Sequence, residues 1–395
     1  MLSFEQARDK ILENVAPTSV ETVDLLDAAG CVIAENIVAP WAMPQWDNSA
    51  MDGFAVRAAD CSQPTELEVV GYIPAGVAPE QRLKPGTAIR IMTGAPVPEG
   101  ADAVIPIEDT QDGEEKVGIL EAVVPGQHIR VQGEDVRAGE MIIAAGTLLR
   151  PAEVGMLASF GKTSISVYRR PRVAIVSTGD ELVEPGTTPA MGQIINSNSF
   201  SLAAAIKEAG ALPVIVGIAR DDLESHRKVL AEGLKADALI TSAGVSAGDR
   251  DLVRDVLGEL GVEQLFWKIN IKPGRPTAFA LSGDKPVFSL PGNPVSAMIT
   301  FEELVRPALL KMMGHSRLLR PTFKARLKED AKKKQGRLHF LRVELEERDG
   351  TVWATTSGDQ NTGILKTMVR ARALAYLPAE FGKMNAGDEV DVHLV

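Results

Sequence analysis

Between Arg172 and Met312 the chain repeats one pattern, an uninterrupted apolar run followed by a helical stretch. Val173–Val176, Pro213–Ile218, Ala238–Thr241 and Val287–Leu290 read as strands. Helical patterns occupy Ser199–Ala209, Asp222–Leu234, Asp251–Leu260 and Val295–Met312, and Asn293 ahead of Pro294 is the cap candidate for the last. Strands alternating with helices of roughly 10–15 residues predict βαβ units and a parallel sheet covered on both faces. In such a sheet, ligands sit beyond the carboxyl ends of the strands, so the loops there carry the most information.

The flanks follow different rules. Residues 1–30 are expected to be helical, with Ser3 and Gln6 as a capping box and Phe4, Ala7, Ile11 and Val15 on one face. From Cys31 to Gly146, short Val/Ile runs cut by Pro and Gly predict a small β domain. Pro151 opens a short helix to residue 161, a position where proline is tolerated. After Gly314, Phe323–Leu327, Leu338–Leu345, Thr351–Thr355 and Glu389–Leu394 predict a second small β domain.

Composition narrows the function. Lys and Arg number 42 against 53 Asp and Glu, a net charge of −11, which disfavours nucleic acid and anionic lipid surfaces while leaving room for a local cationic cleft. Five His and two Cys, Cys31 and Cys61, with no C-x-x-C, leave little for zinc and read as free or buried thiols in a reducing compartment. No apolar run reaches the ~18 residues of a membrane helix, and the N-terminus lacks a signal-peptide pattern, so a cytoplasmic protein is expected.

Three features carry chemistry. First, loops follow successive strands: Ser177-Thr178-Gly179-Asp180-Glu181, then Thr241 to Asp249 with Ser242, Gly244, Ser246 and Gly248, then Pro291-Gly292-Asn293-Pro294. Small residues there let backbone N–H groups approach an oxyanion, although each loop alone is also an ordinary βα turn, and none is a Walker A or G-x-G-x-x-G motif. Second, Lys268, Lys272 and Arg275 lie in a stretch stiffened by Pro273 and Pro276. A cation 4 Å from a phosphate oxygen gains roughly 4 kcal/mol at an effective dielectric of about 20, before desolvation, and a stiff backbone reduces the entropy lost in ordering it. An exposed basic hairpin is the plain alternative. Third, Asp52, Asp135, Asp180, Glu181, Asp249 and Asp251 occupy turns and strand-end loops, where oxygen ligands suit Mg2+ better than zinc. For an Asp before Gly, such as Asp52, simple turn chemistry is the competing reading. No nucleophile elbow is present, the five histidines are scattered and read as structural or surface residues, and Lys332-Lys333-Lys334 reads as a solvated hairpin turn.

Taken together and in order, Asn48–Ala55, Met92–Pro98, Gly133-Glu134-Asp135, Ser177–Leu182, Ser242–Ser246, Ile271–Gly274 and Pro291–Ser296 resemble the MoeA/gephyrin E-domain family of molybdopterin molybdenumtransferases. The resemblance implies a multidomain α/β plus β fold. Its parts would be an elongated N-terminal domain from 1–40 and 140–168, a small β domain at 41–139, a central doubly wound, MogA-like molybdopterin-binding domain at 169–313, and a C-terminal barrel-like β domain at 314–395. It implies insertion of molybdate into adenylylated molybdopterin with release of AMP, Mg2+ assisting, in a homodimer with a shared cleft. The residues carried over as catalytic are Asp52, Asp135, Glu181, Asp251, Lys268 and Lys272, with Asp180, Glu181 and Asp251 as metal ligands. Thr93, Gly94, Thr178, Gly179, Ser296 and Arg342 join the loop residues named above as substrate contacts, Arg342 near molybdate. Where the family commonly has a serine motif this chain reads Asp359–Leu365, so Thr362 is the nearest hydroxyl, with Asn361 in its place one register away. Two other functions fit the same segments: molybdopterin adenylyltransferase, which a similar α/β domain performs, and a non-catalytic pterin-binding scaffold.

Overall fold

The computed structural model describes residues 1–111, 113, 115–244 and 252–395. The chain forms two compact units, one from 1–35, 146–154 and 163–395, the other from 36–145 and 155–162.

The larger unit is built on a six-stranded sheet in the order Leu212–Ala219, Arg172–Thr178, Ala238–Ser242, Lys285–Leu290, Ala278–Ser282, Glu263–Trp267. The first four strands are parallel and the last two join by antiparallel pairings, Ala278–Ser282 alone running against the rest, so the sheet is mixed rather than parallel throughout. The last two strands have no counterpart in the sequence reading; a two-residue turn at Gly283-Asp284, with Gly283 at φ 64°, joins Ala278–Ser282 to Lys285–Leu290. Successive side chains of a strand point to opposite faces. Val173 and Ile175 therefore pack under the helices Ser197–Glu208 and Pro294–Met312, and Ala174 and Val176 under Leu223–Gly233 and Leu252–Glu259. That is the doubly wound arrangement expected.

Helix starts follow the sequence. Asn196 accepts from Ser199 N and Asp222 from Ser225 N. The last helix holds a π turn at Phe301–Val305, which its apolar periodicity did not reveal. At the N-terminus the Ser3–Gln6 capping box forms and Phe4, Ala7, Ile11 and Val15 are buried. The helix nevertheless ends at Glu13 rather than near residue 30; Pro17 follows, and the alternating Val20–Asp24 forms a strand against Ser164–Tyr168. The C-terminal segment closes a barrel of five strands, Leu338–Arg348, Thr351–Thr356, Phe323–Leu327, Glu389–Leu394 and Ala373–Leu377, the last pairing back to the first. Ala373–Leu377 is again a strand absent from the sequence reading.

The smaller unit holds a six-stranded sheet, Ala103–Pro106, Gly53–Val56, Thr87–Ile91, Thr65–Ile73, Lys116–Ile119 and Thr110–Gln111 in that order. Gly53 is required there, since a Cβ would lie 1.8 Å from the Ile105 carbonyl oxygen. Among the described residues no helix is long and apolar enough to cross a membrane.

Candidate active site

At the carboxyl ends of Arg172–Thr178, Ala238–Ser242 and Lys285–Leu290 the larger unit opens a cleft of about 480 Å³. Thr178, Glu181, Ser242, Gly244, Gly292 and Asn293 all border it, so strand-end loops far apart in sequence do converge. Ala243 and Gly244 are both left-handed at φ 74°, and a Cβ on Gly244 would lie 2.2 Å from Val253 Cγ2. A larger residue there would push the loop outward, which is a physical reason for glycine. A second cleft of about 850 Å³ shares Thr178, Glu181, Ala243 and Gly244, and adds Gly179, Asp221 and Asp222.

Two residues that sequence reasoning passed over hold these loops in place. Asn198 Nδ2 donates to Ser242 Oγ and to the Gly292 carbonyl, both at 2.8 Å, tying the second loop to the third. Arg220 Nη1 donates to the carbonyls of Asp180 at 3.2 Å and Leu182 at 3.0 Å, bracing the first loop. Asn198 had a signal, the Asn-Ser-Asn start of a helix after a short strand; Arg220 follows a strand with nothing local to mark it. Asp180 is exposed, and its Oδ1 accepts from Asp221 N at 3.2 Å. The Glu181 carboxylate lies over Gly179, where a Cβ would come within 2.1 Å of its Oε2, and it takes no hydrogen bond among the described residues.

The cationic stretch is a folded-back segment. Lys268 N bonds to Thr277 O and Ile269 N to Arg275 O, each at 3.0 Å, and Lys268 adopts φ 73°. Pro273 and Gly274 are buried whereas Lys272 and Arg275 are exposed. Gly274, at φ 97°, packs against the last helix, since a Cβ would lie 2.3 Å from Thr300 Cγ2. Ile271-Lys272 pairs with Leu338-His339 of the barrel, which anchors the lysine at its base. Pro276 and Pro291 both border the smaller cleft.

The barrel contributes the loop Asp359–Gly363. Its Thr362 Oγ1 accepts from Asn293 Nδ2 at 3.0 Å, and Val295 N approaches Thr362 O at 3.4 Å. Asn361 uses its side-chain oxygen to accept from Gly363 N at 3.0 Å. Arg342 belongs to the barrel strand Leu338–Arg348. It is 1% exposed and lies beneath this loop, donating to the Asp359 carbonyl at 3.0 Å and toward that of Asn361 at 3.4 Å; burial lowers its proton affinity. It supports the loop rather than meeting solvent. Ser296 is also buried, one turn into the last helix.

In the smaller unit, Asp52 Oδ1 accepts from Thr93 N at 2.7 Å and Thr93 Oγ1 at 2.8 Å. The backbone donor first and the hydroxyl second hold this exposed carboxyl below the usual range, so it is an anion at any ordinary pH. Thr93 therefore places both its donors on Asp52. Gly94, at φ 81°, closes the same turn by donating to Ser49 O at 2.8 Å. Asp135 is exposed, with its N–H on the Met43 carbonyl at 3.1 Å. Ser246, Gly248, Asp249 and Asp251 lie outside the described residues.

Comparison with known proteins agrees with this architecture. Residues 2–161 match the MoeA N-terminal region (domain I and II), 174–311 the probable molybdopterin binding domain, and 324–395 the MoeA C-terminal region (domain IV). The chain is 39% identical to molybdopterin molybdenumtransferase 2 of Mycobacterium tuberculosis, over 99% of each chain. It is 38% identical to the molybdopterin molybdenumtransferase of Haemophilus influenzae, over 99% of this chain and 98% of that one. The crystal structure of the molybdopterin biosynthesis moea protein from Pyrococcus horikosii superposes with a TM-score of 0.86 at 32% identity, covering 100% of this chain and 99% of that one.

Proposed function

Because the chain belongs to the MoeA family, we propose that it is a molybdopterin molybdenumtransferase, inserting molybdate into adenylylated molybdopterin and releasing AMP in molybdenum cofactor synthesis. The observation that carries this reading is the convergence of the Ser242–Gly244 and Pro291–Pro294 loops with Thr362 of the barrel. A lone molybdopterin adenylyltransferase domain would have no counterpart to Thr362.

Both substrates are anions, so binding falls to cations and hydrogen-bond donors. Lys268, Lys272 and Arg275 supply charge on a backbone already fixed by its own hydrogen bonds, which limits the entropy lost when they engage phosphate or molybdate. The small residues Ser242, Gly244 and Gly292 let the main chain approach the pterin phosphate, with Thr178 and Asn293 beside them. Hydrolysis of the phosphoanhydride consumes one water and gives AMP plus the pterin phosphate. Asp52, held ionised by Thr93, suits orienting that water or a cation, and Asp135 joins it in this reading.

Mg2+ fits the donor set, because Glu181 presents a carboxylate without a hydrogen-bond partner among the described residues, next to Asp180. These two, with Asp251, would hold it, and it would neutralise charge developing on the phosphate oxygens. The four-module division and a homodimer belong to the same reading; light scattering should give twice the 42.2 kDa chain mass.

The test is direct. Purified protein given adenylylated molybdopterin, Mg2+ and molybdate should release AMP, and EDTA should slow the release. A scaffold would bind the pterin without turnover, and an adenylyltransferase would consume ATP; either result would sink the proposal.

A further inference from the structure

Asn293 stands at the N-cap of the last helix, where an asparagine side chain ordinarily accepts from the first helical turn. It makes no such bond. Its carboxamide instead reaches a different domain and donates to Thr362 Oγ1 at 3.0 Å. A hydroxyl has one proton and two acceptor sites. Once Thr362 accepts from Asn293, its own proton must point elsewhere, and no acceptor for it exists among the described residues.

The surroundings say where that proton is useful. Arg342 lies directly beneath the loop, with a donor on the Asp359 carbonyl and its Nε buried without a partner. The segment carrying Lys272 packs on the same helix through Gly274 and Thr300. Asn293 itself borders the strand-end cleft. The dyad thus joins the cleft to a loop backed by positive charge.

We propose that Asn293 is a positioning residue for oxyanion recognition: by donating to Thr362 it turns the Thr362 hydroxyl outward as a polarised donor to a molybdate oxygen. A donor chain of this kind strengthens its terminal hydrogen bond. The inference rests on the molybdenumtransferase reading for its ligand, but its mechanism concerns binding alone.

Titration of the full-length protein with sodium molybdate, followed by calorimetry, tests it together with the molybdate KM of AMP release. Asn293→Ala and Thr362→Val should each weaken molybdate binding by about tenfold, the usual effect of removing one hydrogen bond to a charged group. The double variant should bind no worse than Thr362→Val alone, and Thr362→Ser should bind as the wild type does. Asn293→Asp is the sharpest case. A carboxylate would accept from Thr362, draw its proton back and add negative charge, so affinity should fall by more than about a hundredfold. In every variant that weakens binding the molybdate KM should change more than kcat, and circular dichroism should match the wild type.

Additive losses in the double variant, or wild-type affinity in Asn293→Asp, would overturn the proposal. If the wild type binds molybdate and the variants behave as expected but no AMP is ever released, the functional reading fails while the positioning role stands.

Discussion

At one place the C-terminal barrel closes a buried polar network around Glu303; at another, along the strand Leu338–Arg348, it leaves Arg342 Nε and His339 Nε2 without partners. In the first cluster His393 Nε2 meets Glu303 Oε1 at 2.7 Å, His393 Nδ1 meets the Leu394 carbonyl at 2.9 Å, and the Tyr376 hydroxyl donates to Glu303 Oε2 at 3.1 Å. Burial pushes His393 toward the neutral form, but the Glu303 hydrogen bond and charge outweigh it and the imidazole titrates above its ordinary range. Burial and Glu303 push the Tyr376 phenol up in the same way. Along the strand, the nitrogens Arg342 Nε and His339 Nε2 have no such partner. Burial and the cations Lys333, Lys272 and Arg337 push His339 down to about 4.

The difference separates two uses of buried charge. A satisfied network resists being taken apart, because removing one member strands the others. It pins the barrel to the π turn of the last helix. Unpartnered buried donors cost stability and are rare enough to need a reason. Arg342 has one, since its charge is held behind the loop that carries Thr362.

The largest effect should come from breaking the satisfied cluster. Glu303→Ala strands His393 and Tyr376, and urea unfolding should show a loss of about 3–5 kcal/mol. A loss under about 1 kcal/mol would mean that water reaches the network. Next comes His339. Its folded pKa lies below its unfolded one, so its contribution is complete above about pH 6.5 and is lost as pH falls toward 4, by up to about 3 kcal/mol. His339→Leu should flatten that acid slope.

Arg342→Met should separate stability from function. Molybdate-dependent AMP release should fall about 100-fold, whereas the urea midpoint should hold or rise, because replacing a poorly compensated buried charge with an apolar side chain is often neutral or stabilising. A matching collapse of the midpoint would erase the contrast between the clusters. The smallest effect should be alkaline. The folded pKa of His393 is raised, so its contribution is full below the unfolded imidazole pKa and disappears as pH rises through the folded value. Stability should decline across that window, and His393→Gln should remove the slope.

Much of the candidate site was legible because its signals are local. Gly244, Gly274, Asn293 and the helix start at Asp222 mark strand ends and helix starts, where backbone geometry restricts residue type within a few positions. The carboxylate of Asp52 was legible as a turn residue; its partner Thr93, 41 positions away, was read as a substrate contact. Arg342 was legible as a charge in a strand, but its burial depends on a loop that closes over it from residues 359–361. Ala373–Leu377 was missed because an alanine-rich run has weak strand character until both neighbours are in place.

The sequence by itself determined the order of modules, the four parallel strands, the capped helices and the identity of the loops at the strand ends. These follow from period, turn chemistry and capping, which act over a few residues. Only the tertiary structure decided that two more strands extend the sheet by antiparallel pairings and that a π turn carries Glu303 to the barrel. It alone decided that Asn293 gives up its cap to hold Thr362. Each of those depends on what lies across a packing interface, where a polar side chain takes the partner that burial brings within reach.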